Sequence, residues 1–136
     1  MTVVAKFGAL IAAVLLGSVA AGCGGGASNP RAELSTFVVD YVDENRNNCC
    51  ELGMHATVSR ITFARSDPRW ASVSIDVTDI NGQPDGQDFF VLRKGASTWQ
   101  VIGYGHGALG CRVPVRLRAE LAVGVPDGTL DCPAGG

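Results

Sequence analysis

Ala71-Ser72-Val73-Ser74-Ile75-Asp76-Val77-Thr78 alternates strictly between apolar and polar side chains. Aliphatic residues at 71, 73, 75 and 77 alternate with Ser72, Ser74, Asp76 and Thr78. A period of two places the two sets on opposite faces of a β-strand, one toward a core and one away from it. Upstream, Ile61 and Phe63 alternate with Arg60, Thr62 and Ala64, and Ser66-Asp67-Pro68-Arg69 reads as the turn between two strands. Downstream, Asn81-Gly82 and Asp85-Gly86 punctuate a loop. Phe89 to Lys94 reads as a third strand, Gly95-Ala96-Ser97 as a turn, and Thr98 to Tyr104 as a fourth strand. All the gaps are short, so sequential neighbours should pair antiparallel as a meander.

A sheet with one apolar face needs a cover, and residues 29–46 supply it. Asn29 suits an N-cap, and Pro30 suits the first helical position, where its missing N–H is not needed. Leu34, Phe37, Val38, Tyr41 and Val42 fall on one stripe of a helix. The acidic residues Asp40, Asp43 and Glu44 lie mostly off it, which favours core packing over an amphipathic helix lying on a membrane. Asn45, Asn47 and Asn48 read as its end. The expected class is therefore α+β: an N-terminal helix on a four-stranded antiparallel meander.

The tail reads two ways. Val113, Val115, Leu117, Ala119, Leu121, Val123 and Val125 alternate without a break, which favours a strand. Pro114 suits a helix start, Leu117 and Leu121 are four apart, and Arg116, Arg118 and Glu120 are good helix formers. Periodicity alone tips the reading to a strand.

The N-terminus has a different character. Lys6 precedes an apolar run from Phe7 to Leu16, and small residues follow up to Cys23. This run is shorter than the roughly 20 apolar residues of a membrane span and has the layout of a secretory signal. Val19-Ala20-Ala21-Gly22-Cys23 resembles the lipobox of bacterial lipoproteins, with Ala20 where leucine is usual. That resemblance implies export, thioether attachment of diacylglycerol to Cys23, cleavage before Cys23 and acylation of the new amino group. The organisation expected from it is a signal peptide at 1–22, a lipidated tether at 23–28 containing Gly24-Gly25-Gly26, and one small domain at 29–136. The location it implies is the extracytoplasmic face of the cell membrane, reached through the lipid anchor.

Removing 22 of the 136 residues leaves 114, enough for one modest core. Without Lys6 the balance is 10 basic against 13 acidic residues, a net charge of −3. That balance gives no reason to expect nucleic acid or an anionic membrane surface as a partner. Apart from Cys23, four cysteines remain: Cys49, Cys50, Cys111 and Cys132. An even number in an exported chain suggests two disulfides, with three pairings open. A zinc site from Cys49, Cys50 and His55 is disfavoured, because adjacent cysteines do not easily ligate one ion.

No motif commands a chemistry. Gly105-His106-Gly107-Ala108-Leu109-Gly110 matches G-x-G-x-x-G, but Cys111-Arg112-Val113-Pro114 follows instead of a crossover helix and a parallel strand. Asp79, Asn81, Asp85 and Asp88 could offer oxygen ligands to calcium, yet Gln83 and Pro84 break the EF-hand spacing. His106 lies between two glycines and His55 in the connection before the first strand. The acids nearest in sequence, Glu51 and Asp67, are on other loops, so neither histidine has an evident orienting carboxylate. The expectation is a non-catalytic envelope lipoprotein without cofactor or metal. It would bind an envelope protein, a wall polymer or a small ligand through the open face of the sheet. Trp70, on the parity of Ser72 and Ser74, is the candidate ligand contact on that face. The alternative is a small enzyme using His106 or His55 in a sheet pocket.

A second resemblance covers about half of the mature chain. Asp67-Pro68-Arg69-Trp70-Ala71, Phe89 to Gly95, Ser97 to Gly103, and Gly110-Cys111 followed by Pro114 are similar to small exported proteins of actinobacteria. The resemblance implies a helix on a curved antiparallel sheet of cystatin or NTF2-like kind. It also implies a short helix after Pro114, against the periodicity, and a disulfide from Cys111 to a cysteine near the C-terminus, which would be Cys132. It carries no catalytic residue.

Overall fold

The computed structural model describes residues 28–46 and 53–134. Residues 1–22, read above as a signal peptide, Cys23, the glycines at 24–26, and Cys49 and Cys50 lie outside the described residues. Helix α1 spans Pro30–Arg46, and four strands follow: β1 His55–Phe63, β2 Trp70–Thr78, β3 Pro84–Lys94 and β4 Trp99–Gly105. A 3₁₀ turn at Gly110–Arg112 and helix α2, Val115–Leu121, complete the order. The sheet is an antiparallel meander in the order β1-β2-β3-β4.

Helix α1 starts where its sequence dictates. The Asn29 Oδ1 accepts the Arg31 N–H at 3.1 Å and so satisfies one of the donors that a helix leaves free at its start. Glu33 in the first turn favours the helix dipole and pairs with Lys94 across the sheet edge. Leu34, Val38 and Val42, one turn apart, are buried against Ala71, Val73, Ile75 and Val77 of β2 and Phe90 and Leu92 of β3. This is the inner face, and the alternation of β2 sets its register.

The outer face is not open along its length. Trp70 and Val91 pack with Ala64, Val113, Leu117, Leu121 and Leu130 in a second apolar cluster. The cover is α2, so the alternating tail is a helix rather than a strand. Val113, Leu117 and Leu121 are buried, four residues apart, while Val115 and Val123 are 75% and 57% exposed. Only the helical subset of the alternating residues faces the core. Ser72 Oγ donates to the Leu121 carbonyl at 2.6 Å and Thr62 Oγ1 to the Val123 carbonyl at 3.1 Å, fixing the end of α2 to the sheet. Among the described residues no helix is long and apolar enough to cross a membrane.

The last residues close over this layer. Cys111 and Cys132 form a disulfide across a sequence separation of 21. The Leu109 N–H donates to the Thr129 carbonyl and the Gly110 N–H to the Asp131 carbonyl. Gly110 is buried there, and a Cβ on it would strike the Leu130 backbone.

Candidate functional site

Two polar places stand out against these two apolar layers. The first is on the inner face, at the end of the sheet where α1 stops. In the β3–β4 register Phe89 faces Gly105 and Phe90 faces Tyr104. Asp88 and Phe90 therefore share the inner face, and His106 continues β4 on the side of Tyr104. The Asp88 side chain is 3% exposed, and its Oδ1 lies 2.6 Å from His106 Nε2. The Tyr104 hydroxyl donates to Asp88 Oδ2 at 2.6 Å. Tyr104 is itself held by Phe90, stacked at 4.4 Å between ring centres, and by an edge contact with Tyr41 of α1 at 6.3 Å. A buried carboxylate needs such partners.

This corrects the expectation that His106 has no orienting carboxylate. Phe89 to Lys94 reads as the third strand from sequence alone, whereas β3 starts at Pro84 and includes Asp88. Extending the strand's alternation by one step would have put Asp88 on the inner face, opposite the residue after Gly105. The arrangement can orient an imidazole and hold a proton between Nε2 and the carboxylate. His106 itself is 70% exposed and lines none of the four cavities of about 210 to 630 Å³ described along the surface.

The second place is on the outer face, beyond the cover of α2. A bulge between Val58 and Arg60 sets both Ser59 and Arg60 against Ser74 of β2. Ser59, Arg60, Ser74, Gln87 and Gly124 line a hollow of about 210 Å³. Gly124, with φ +82°, runs so close under the Arg60 guanidinium that a Cβ would collide with it. Ser59 Oγ donates to the Ser74 carbonyl at 3.1 Å, and Gln87 Nε2 donates to Asp76 Oδ1 at 2.7 Å. Ser74 is 4% exposed, and its hydroxyl has no hydrogen-bond partner. Arg60 and Ser74, each with a hydrogen-bond donor, thus line one small hollow. The hollow depends on this bulge, which the alternation of the sequence does not reveal.

The other candidates resolve plainly. Trp70 lies on the expected face but is 6% exposed beneath α2, so it is a core residue and not an open contact. The Arg93 guanidinium sits 5.7 Å over its ring. His55 opens β1 opposite Thr78, rather than preceding the first strand, and is exposed. Asp79 spends its carboxylate on its own turn, accepting the N–H groups of Gln83 and Asn81 at 2.8 Å each. Those amides, Gln83 first, hold its pKa below the usual carboxylate value. Asp88 faces inward, away from that turn, and no cluster of metal-ligating residues exists among the described residues. Gly105 to Gly110 leads from an antiparallel strand into a 3₁₀ turn, which is not a dinucleotide-binding frame.

The fold and these sites define an α+β protein of one helix on an antiparallel meander, closed on the outer side by a disulfide-bonded tail. No family model matches the chain, and neither a curated protein nor a solved structure matches it.

Proposed function

We propose that the chain is an exported, lipid-anchored envelope lipoprotein whose folded domain is a non-catalytic binding module. Export and the anchor at Cys23 rest on the sequence from Lys6 to Cys23. The Cys111–Cys132 disulfide suits an oxidising compartment outside the cytoplasm. Binding rests on one observation: Ser74, almost fully buried with an unpartnered hydroxyl, lines the same hollow as Arg60. Buried polar groups are nearly always paired, so an exception beside a hollow calls for an explanation, and a bound ligand supplies one. The donors present suit a small carboxylate or similar anion, such as the end of an envelope peptide or an acidic group on a wall polymer. Titration of the protein with acetate, followed by NMR at Arg60 Nε and the Ser74 amide, tests this. Saturable shifts that vanish in Arg60→Ala support it, and shifts that persist unchanged in that variant refute it.

One observation favours a second reading. The Asp88–His106 contact at 2.6 Å is the geometry of an oriented general base. The exposure of His106 keeps this reading second. A small enzyme built on His106 would lose turnover of its substrate in both His106→Ala and Asp88→Asn, whereas a binding module would keep its acetate response in both.

A further inference from the structure

The net charge conceals a strong separation of charge along the sheet. At the end where α1 begins lie the 64–69 turn, the 95–98 turn and the start of α2. This pole carries Arg31, Arg65, Arg69, Arg93, Lys94 and Arg116, against Glu33, Asp67 and Glu120. The placement is fixed by contacts. Arg31 Nη1 donates to the Ile61 carbonyl at 3.0 Å, Arg93 sits over Trp70, and Lys94 pairs with Glu33. Arg116 and Arg69 both act on Asp67, and Arg65 acts on Glu120. Five of the six cations are exposed, and Lys94 is half-buried.

The opposite pole is the reverse. Asp43 and Glu44 lie in the last turns of α1, and Asp76, Asp79, Asp85 and Asp88 surround the β2–β3 loop. The basic pole carries a net charge of +3, from six cations and three carboxylates, in a chain that is acidic overall.

The basic pole is also where the chain arrives from Cys23. Six residues, 24–29, separate that cysteine from Pro30. The seven Cα–Cα steps from Cys23 to Pro30, fully extended, span at most roughly 25 Å, at about 3.3–3.6 Å per step. Among the ways the domain could hang from an anchor at Cys23, this holds the start of α1, and with it the cations, nearest the bilayer.

We infer that the basic pole docks on the anionic headgroups of the membrane to which Cys23 is tethered, so that the acidic pole with His106 points away. This rests on the lipid-anchor reading proposed above. Each cation is attracted to an anionic surface, and the attraction fades beyond a Debye length of about 10 Å. The tether supplies the proximity that so short a range requires. With the domain held this way, the Arg60 hollow on the outer face stands to the side and stays accessible.

The test uses the mature protein, purified from membranes and reconstituted on nanodiscs of phosphatidylcholine alone or with phosphatidylglycerol. Each disc carries a gadolinium-chelating lipid. Co-elution with phosphatidylcholine discs reads the anchor alone, and its absence overturns the lipid-anchor reading. Relaxation of backbone amides reads the docking. On anionic discs the signals of Ser66, Arg69, Gly95 and Ser97 should broaden at least about twofold more than those of Asn81 and Gly82, with the contrast collapsing in high salt. In Arg65→Glu/Arg116→Glu, which changes the pole to a net −1 at two exposed positions, it should fall to the level seen on phosphatidylcholine. Equal broadening at both poles on anionic discs, or a contrast unchanged by the charge reversal in protein with native thermal stability, overturns the docking while leaving the anchor untouched.

Discussion

Replacing Trp70 by alanine separates a core tryptophan from a surface one. Trp70 is 94% removed from solvent, between the sheet and α2, against Leu117, Leu121, Val91 and Leu130. A tryptophan side chain buries on the order of 200 Å², and about 25 cal/mol per Å² then gives roughly 5 kcal/mol. The unfolded chain already hides part of that surface, which lowers the figure, while the cavity left behind raises it. A loss of about 3–5 kcal/mol is expected, a large share of the stability of a domain this small. Trp70→Phe keeps most of the packing and should lose about 1–2 kcal/mol, which keeps the measurement possible if the alanine variant does not fold. Urea denaturation followed by circular dichroism, with the disulfide intact, gives both values. A loss below about 1 kcal/mol in Trp70→Ala would refute the packing of α2 over the sheet and return Trp70 to the surface.

Three further outcomes follow from named contacts. Gly110→Ala places a methyl against the Leu130 backbone and should destabilise by about 1–3 kcal/mol, read by the same denaturation. Tyr104→Phe removes a hydrogen bond to the Asp88 carboxylate and should lose about 1.5–3 kcal/mol, with a smaller loss showing that the bond is not held in solution. The Ser66 hydroxyl and N–H hold the Glu120 pKa below the usual carboxylate value. A depressed folded pKa gives stability that is complete above the unfolded value and lost as pH falls through the folded one, so this contribution disappears only on the acid side of the ordinary carboxylate range. Ser66→Ala should raise the Glu120 pKa, measured by carbon NMR, and an unmoved value would show that the contact is absent.

How far the sequence announced this architecture depends on how local each signal is. Asn29 and Pro30 mark the start of α1 because capping is decided within three residues. The alternation of β2 gives the inner face because a half-buried strand writes its environment directly into its side chains. Signals that depend on distant chain are weaker. The parity of Trp70 was legible, but its cover comes from residues more than 40 positions later, in a tail whose alternating valines resemble a strand. Val115 and Val123 are exposed passengers in that pattern, and the residues four apart are the ones that carry the packing. The Asp88–His106 contact was hidden for a related reason. Asp85 and Gly86 look like a loop, yet Gly86 pairs with Val77, Asp85 is absorbed as a bulge, and β3 reaches back to Pro84 opposite Thr78. Charge was misleading in a third way, since a net value averages over two poles that only the topology separates.

The central claim is that the domain is held at a membrane through Cys23. The intact mass of the mature protein, extracted from cell membranes with detergent, tests it most directly. The expected result is a chain beginning at Cys23 that carries a diacylglycerol thioether and an acylated amino group, and a Cys23→Ser variant found either unprocessed or released. A mature chain whose mass shows an unmodified Cys23, or a Cys23→Ser variant that is processed and retained in the membrane like the parent, would contradict it.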